Sequence, residues 1–258
     1  MNRKNITEVF FSPNGTTQEV VQTIGRNFSA EAESCDLLRA PLQQDKRIPK
    51  DGLAIVGMPV YAGRIPGLCR EWLAHLKGEE TPAMAVAVYG NRDYDDALLE
   101  LTDLLEENGF TVIGAGAFIA QHSIFPKVGA GRPDQADKEA MALFAEKCKE
   151  NLACLAAGET IKIVVKGNPE YREPGNVPLK PSADKACTRC GVCASLCPTH
   201  SIPKDDPWRT NQKTCISCGA CIHNCPAGAR AFRGPMYAIA EKEFCKKNAA
   251  YRKPELFY

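Results

Sequence analysis

The sequence predicts a doubly wound α/β parallel sheet followed by a small α+β domain. Three observations carry that expectation. Over the first 160 residues, continuous apolar runs alternate with amphipathic stretches, the pattern of parallel strands joined by helices. Of the 13 cysteines, eight fall between Cys187 and Cys225, in two runs of identical spacing. Between these regions, residues 166–182 hold four prolines and two glycines without periodic apolar positions, as an extended linker does. Charge divides at the same place. Residues 1–180 carry 20 Lys+Arg against 25 Asp+Glu, a formal −5, and residues 181–258 carry 12 against 6, a formal +6. The expected units are 1–165, the linker 166–182, the cysteine domain 183–235, and a C-terminal helix with an aromatic tail, 236–258.

The elements follow in order. Ile6–Phe11 reads as a strand, and Thr16–Phe28 as a helix with Val20, Val21, Ile24 and Phe28 on one stripe. Cys35–Leu38 is a short strand. The apolar run Gly52–Met58 is a strand buried on both faces, and Ala83–Tyr89 is another. Helices are expected at Pro66–Leu76 and Tyr94–Glu107, a fifth strand at Thr111–Phe118, and a long closing helix at Pro133–Ala157. Five strands with intervening helices give a flavodoxin-like sheet of order 2-1-3-4-5, whose ligands bind at the carboxyl ends of the strands.

Whole-chain composition narrows the function classes. At 258 residues, 44% hydrophobic and 24% charged, the chain can bury a core and is not disordered in composition. A net charge of +1 excludes a general nucleic-acid binder, which needs a basic surplus. The first residues hold two early cations, Arg3 and Lys4, but no apolar stretch, so no signal peptide is expected. No run is apolar enough to span a membrane. The expectation is a cytoplasmic protein, in which many cysteines bind metal or do redox work rather than form disulfides.

Cys187, Cys190, Cys193 and Cys197-Pro198 form C-x₂-C-x₂-C-x₃-C-P, and Cys215, Cys218, Cys221 and Cys225-Pro226 form it again 28 residues later. Three closely spaced thiolates hold three corners of a cubane. The fourth corner comes from the other copy of the unit, so the chain crosses over. Cluster one therefore takes Cys187, Cys190, Cys193 and Cys225, and cluster two takes Cys215, Cys218, Cys221 and Cys197. Structural zinc is the alternative, but a tetrahedral site gives no role to a third cysteine in each run. Gly191, Val192, Ile216, Gly219, Ala220 and Ile222 are small or apolar and suit close packing against a cluster. His200 and His223 are not needed as ligands and read as surface residues. Roughly residues 180–235 resemble the two-[4Fe–4S] ferredoxin family, which implies two such clusters.

The loop after the first strand, Ser12-Pro13-Asn14-Gly15-Thr16-Thr17, opens a helix, whose N-terminal amides and dipole suit a phosphate. Ser12, Asn14, Thr16 and Thr17 add side-chain donors, and Gly15 lets backbone approach closely. Neither G-x-x-x-x-G-K-[ST] nor G-x-G-x-x-G is present, which favours a monophosphate ester over a triphosphate or dinucleotide. The loop resembles the flavodoxin phosphate loop, although flavodoxins usually have a hydroxyl residue in place of Asn14 and an asparagine in place of Thr16. That resemblance implies FMN. It also implies that two further loops hold the flavin ring: Pro59, Val60, Tyr61, Ala62 and Gly63 in one, and Tyr89, Gly90, Asn91, Arg92 and Tyr94 in the other. Tyr61 and Tyr94 are the stacking candidates. Arg64 and Arg92 are either ring-side or surface cations. His122, after the fifth strand, is either structural or a proton donor.

The phrases FFSPNGTT, MPVYAGRIP and VYGNRDYDDALLEL, with the doubled cysteine motif, resemble the flavodoxin–ferredoxin fusion proteins of anaerobic bacteria and archaea. The resemblance implies FMN and two clusters in one chain, and from those cofactors we expect an electron-transfer oxidoreductase that couples a two-electron flavin to one-electron clusters and works with an unspecified redox partner. Two alternatives stay open: a flavin-free docking module carrying a ferredoxin, and an FMN-dependent reductase of a small acceptor. Cys35, Cys69, Cys148, Cys154 and Cys245 lack ligand spacing and read as packing residues. The aromatic C-terminus packs on either domain or completes a homodimer interface, and the sequence does not choose.

Overall fold

The computed structural model describes residues 5–175 and 177–258. The early cations Arg3 and Lys4, and Asn176 of the linker, lie outside the described residues. In chain order the N-terminal domain runs β1 (Ile6–Phe10), α1 (Thr16–Gly25), β2 (Glu33–Asp36), β3 (Lys46–Ile48), β4 (Leu53–Pro59), α2 (Gly67–Leu73), β5 (Leu76–Gly78), β6 (Thr81–Tyr89), α3 (Ala97–Glu107), β7 (Phe110–Ile119) and α4 (Gln135–Ala156). After the linker come β8 (Ser182–Ala183), α5 (Val192–Ser195), α6 (Ala220–His223), β9 (Arg230–Ala231), α7 (Pro235–Lys247) and β10 (Glu255–Phe257).

The main sheet has the order β10-β7-β6-β4-β1-β2. Its four pairs β1–β2, β1–β4, β4–β6 and β6–β7 are all parallel, and they reproduce the flavodoxin-like order expected from the sequence. The side-chain period of two splits the core across the sheet. Val9, Ala54, Val56, Met58 and Ala85 pack under α2 and α3, whereas Phe10, Leu53, Ile55, Met84 and Val86 pack under α1 and α4. α4 begins with a capping box, in which the Asp134 carboxylate accepts from Asp137 N–H and the Asp137 carboxylate accepts from Asp134 N–H. Two features escape the sequence reading. A parallel pair of three-residue strands, β3 and β5, is too short to show a period. The other is β10, which joins the sheet antiparallel to β7 through Glu255–Ala117, Leu256–Gly116 and Phe257–Ala115.

The structure therefore settles the tail that the sequence left open: within this chain, it caps the sheet edge. Leu256 and Phe257 pack against opposite faces. The stretch before β10 is strapped down as well. Asn91 Nδ2 donates to the carbonyls of Asn248 and Ala250, both at 2.8 Å, and Arg132 donates to Arg252 O at 3.2 Å. The linker has no regular structure but is anchored. Asn168 and Arg172 N–H donate to the two Asp96 carboxylate oxygens, each at 2.7 Å, and Ile163 and Val165 pack against the core. Cys69 and Cys148 are buried, Cys35 packs at the core's edge, and Cys245 packs with the aromatic group around Phe125, in keeping with packing roles.

Pairing of β10 protects an otherwise open strand edge. We expect Leu256→Ala to lower unfolding free energy by about 1–2 kcal/mol, the value for a half-buried leucine, as read from urea denaturation midpoints.

Candidate functional site

The carboxyl ends of β1, β4, β6 and β7 open into two adjoining cavities. The smaller is lined by Asn14, Thr16 and Thr17 from the first loop, by Tyr61 from the second, and by Ser123. The larger, about 340 Å³, is lined by Ala62, Gly63, Arg92 and Asp93 from the second and third loops. Val60, Tyr89, Gly90 and His122 line both. α7 and the linker close the larger cavity with Met236, Ala240, Phe244, Val177, Pro178 and Leu179, residues that carry no local signal in the sequence.

Local backbone explains why these loops look as they do. α1 starts from Gly15, left-handed at φ 82°, so its N-cap has no side chain to satisfy the first amides. Thr16 and Thr17, in that first turn, line the smaller cavity. The Ser12 hydroxyl is already used, since it accepts from Gln18 N–H at 2.9 Å. Tyr61-Ala62-Gly63-Arg64 is a tight turn with positive φ at both central residues, 53° and 87°, closed by Tyr61–Arg64 backbone bonds. Gly90 is dictated by His122, because an added Cβ would lie 2.4 Å from the ring carbon Cδ2.

The structure separates the predicted site residues. Asn14, Thr16, Thr17, Pro59, Val60, Tyr61, Ala62, Gly63, Tyr89, Gly90 and Arg92 line one or both cavities. Tyr94 does not. It is buried edge-on against Tyr89, with centroids 5.6 Å apart, and its hydroxyl donates to Glu255 at 3.0 Å, so it supports the wall from beneath. Asn91 faces the C-terminal strap instead. Arg64 is not a ring-side cation, because it forms a buried two-pronged pair with Glu100 at 2.7 Å. Glu100 also accepts from Ile65 N–H, which fixes the turn. Tyr61 lines the smaller cavity and is absent from the walls of the larger one. Arg92, paired with Asp95, does line the larger cavity.

His122 is better defined than the sequence allowed. Its Nδ1 accepts the amide protons of Ile124 and Phe125, both at 3.1 Å, so the neutral ring carries its proton on Nε2. Phe125 and Phe244 pack on the ring. Burial, assisted by the Arg92 charge, lowers its pKa to about 4, so it is neutral at neutral pH.

The cysteine domain is duplicated in space as in sequence. α5 and α6 each start from a left-handed glycine, Gly191 and Gly219, and the positive-φ residues Arg189 and Ser217 precede them at matching positions. Cys187, Cys190, Cys193 and Cys225 line one cavity, and Cys197, Cys215, Cys218 and Cys221 line another. Backbone amides turn toward sulfur in both copies. Ser201 N–H donates to Cys197 Sγ at 3.2 Å, and Ala229 N–H donates to Cys225 Sγ at 3.3 Å. Burial raises the Cys225 thiol, but the amides of residues 227–230 outweigh it and leave the pKa below the ordinary thiol value. Burial pushes Cys218 up to about 12 and Cys221 up to about 11. Two thiol quartets in amide-lined cavities suit anionic iron–sulfur clusters.

Residues 186–229 match the family of 4Fe-4S dicluster domains. This region is therefore an iron–sulfur domain. No curated protein matches the chain. Among solved structures, the chain is similar to the rubredoxin oxygen:oxidoreductase of the anaerobe Desulfovibrio gigas, at 14% identity over 59% of this chain, with a TM-score of 0.40. It spans 37% of that protein's length. It is also similar to the Streptococcus pneumoniae TIGR4 flavodoxin, at 19% identity over 57% of this chain and 98% of that one, with a TM-score of 0.38. A flavodoxin from the domain Archaea matches at 12% identity over 57% and 99% of the two chains, with a TM-score of 0.38.

The iron–sulfur domain meets the α/β domain beside the smaller cavity. The Tyr61 hydroxyl donates to Cys218 O at 3.5 Å. A Cβ on Gly219 would lie 2.8 Å from Asn14 Oδ1, and one on Gly15 would lie 3.7 Å from His223 Nε2. His223, read from sequence as a surface residue, is exposed but borders this contact.

The His122 pKa has a stability consequence. Below about pH 6.5 the unfolded chain takes up a proton that the folded ring refuses until about pH 4, so stability at this site falls as pH falls through that window. Comparing His122→Asn with wild type by urea denaturation, we expect the wild type's relative stability to drop by on the order of 1–2 kcal/mol between pH 7 and pH 5.

Proposed function

We propose that the protein is an electron-transfer oxidoreductase that holds FMN at the sheet's carboxyl edge and two [4Fe–4S] clusters in the two cysteine quartets. One observation carries this reading: the quartet of Cys197, Cys215, Cys218 and Cys221 abuts the smaller cavity through the Tyr61–Cys218 hydrogen bond and the close approach of Gly219 to Asn14. When bound, FMN exchanges one or two electrons and each cubane exchanges one at low potential.

The chain's own residues would then divide the work. Asn14, Thr16 and Thr17, with the first turn of α1 that opens from Gly15, would take the phosphate. Backbone at Ala62, Gly63 and Gly90 would approach the ring, and Tyr89 would offer its aromatic face between the two cavities. Neutral His122 would present a proton donor at Nε2, and Arg92 would bring positive charge to the same cavity. Met236, Ala240 and Phe244 of α7 would exclude water from it. Quartet two stands next to the cavities. In quartet one, Cys190 is solvent-exposed, which suits exchange with an outside carrier.

A second reading has its own support. The larger cavity combines an apolar roof with Arg92 and His122, the means to bind and protonate a small acceptor beside the flavin. The flavin-free docking reading would leave both cavities without a role.

Anaerobic purification tests the proposal. We expect about eight irons with matching labile sulfide and one FMN per chain. Absence of flavin after FMN titration would overturn the flavin assignment, and zinc without sulfide would overturn the clusters. Turnover of a small acceptor without a protein partner would select the second reading. Cys197→Ala should remove the cluster nearest the flavin and leave the other, as counted by iron content and EPR; loss of the distant cluster alone would reverse the crossover.

A further inference from the structure

Among the described residues, Arg230 is the largest fully buried side chain, at 2% exposure. A guanidinium keeps its charge at any physiological pH, so burying it requires compensating partners. Its terminal nitrogens have only neutral ones. Nη1 donates to Pro207 O at 2.5 Å, and Nη2 donates to Pro181 O at 3.1 Å and to the Thr210 hydroxyl. Among the described residues, no carboxylate pairs with it, and its Nε–H is buried without an acceptor. β9 pairing with β8, with Ala183 opposite Arg230, fixes the residue in place.

The surroundings show what this charge serves. Arg230 lines the cavity of quartet one beside Cys193 and Cys225. It reaches quartet two as well, since Pro181 and Thr210, the partners of its Nη2, line the cavity of Cys197, Cys215, Cys218 and Cys221. The fold itself does not demand a cation here. The duplication places Ile202 at the matching position of the first copy, buried among Cys193, Ala194 and Cys221. One copy thus fills the position with an apolar side chain and the other with a buried cation.

On the two-cluster reading above, we propose that Arg230 is the shared counter-ion of both clusters, with its Nε–H directed to cluster sulfur, and that it holds both reduction potentials higher than the thiolate shells alone would. Each cluster gains a negative charge on reduction, and a fixed cation between them favours that state in a site of low dielectric. A guanidinium supplies a donor and a permanent charge together, where a lysine supplies charge with a different reach.

The test is a reductive titration of the holoprotein followed by EPR, comparing wild type with Arg230→Met and Arg230→Lys. With iron content unchanged, Arg230→Met should weaken reduction of both clusters by about tenfold each, equal to 59 mV for a one-electron couple, and Arg230→Lys by less. Unchanged or raised potentials in Arg230→Met would overturn the proposal, and a shift confined to one cluster would overturn its shared character. If Arg230→Met assembles no clusters, wild-type protein labelled with ¹⁵N-arginine decides. Pulsed EPR of the reduced protein should show coupling to one guanidinium nitrogen with an exchangeable proton, and no coupling overturns the assignment. A wild-type protein with no cubane signal would instead defeat the two-cluster reading on which this one rests.

Discussion

The contact between the Tyr61 hydroxyl and the Cys218 carbonyl joins the two halves of the molecule at their functional ends. A parallel sheet gathers its loops at one edge, because every strand ends there and every helix leaves from there. That edge places the phosphate-type loop, the Tyr61 turn and the Tyr89–Arg92 loop side by side. The iron–sulfur domain then covers the edge and brings one thiol quartet against it. Burial of Tyr61 holds its phenol well above the ordinary pKa, so it remains a hydrogen-bond donor at this junction.

The covering is held from the other side by the C-terminal segment. After the iron–sulfur domain, α7 returns over the larger cavity, and its Tyr237 and Phe244 pack on Phe125. The chain then passes Asn91 and Arg132 and ends as a sixth strand. Asn91 and Tyr94 thus serve the site indirectly: they anchor the strap that keeps α7 in place. A Glu255 that receives both the Tyr94 hydroxyl and Lys166 also ties that strand to the linker.

Electrostatics divide the chain in a matching way. The +6 of the C-terminal segment accompanies a domain whose thiol quartets become anionic on loading. Most of that positive charge lies at the surface, but Arg230 is buried beside both quartets. The buried Arg64–Glu100 pair does different work in the α/β domain, where it rigidifies a turn with two left-handed residues.

The periodic parts of this fold were legible in the sequence, because buried parallel strands are written as unbroken apolar runs and amphipathic helices as stripes. The cysteine quartets were legible for a similar reason: their spacing is local, and the 28-residue repeat suggests an exchange of fourth cysteines that matches the two groups lining separate cavities. Residues whose role depends on distant partners were not. Tyr94 and Tyr61 look alike as loop aromatics, yet one lies beneath the cavity and the other reaches the iron–sulfur domain. β10 is three residues long and finds its place only because β7 leaves an open edge. Arg230 looks like any surface arginine until the fold buries it between two quartets. The sequence by itself determined the elements, their order and the candidate ligands, since these follow from local period and spacing. Only the tertiary structure decided which loop residues share a cavity, which quartet stands nearest to it and where the tail ends, because those depend on which surfaces the folded chain presses together.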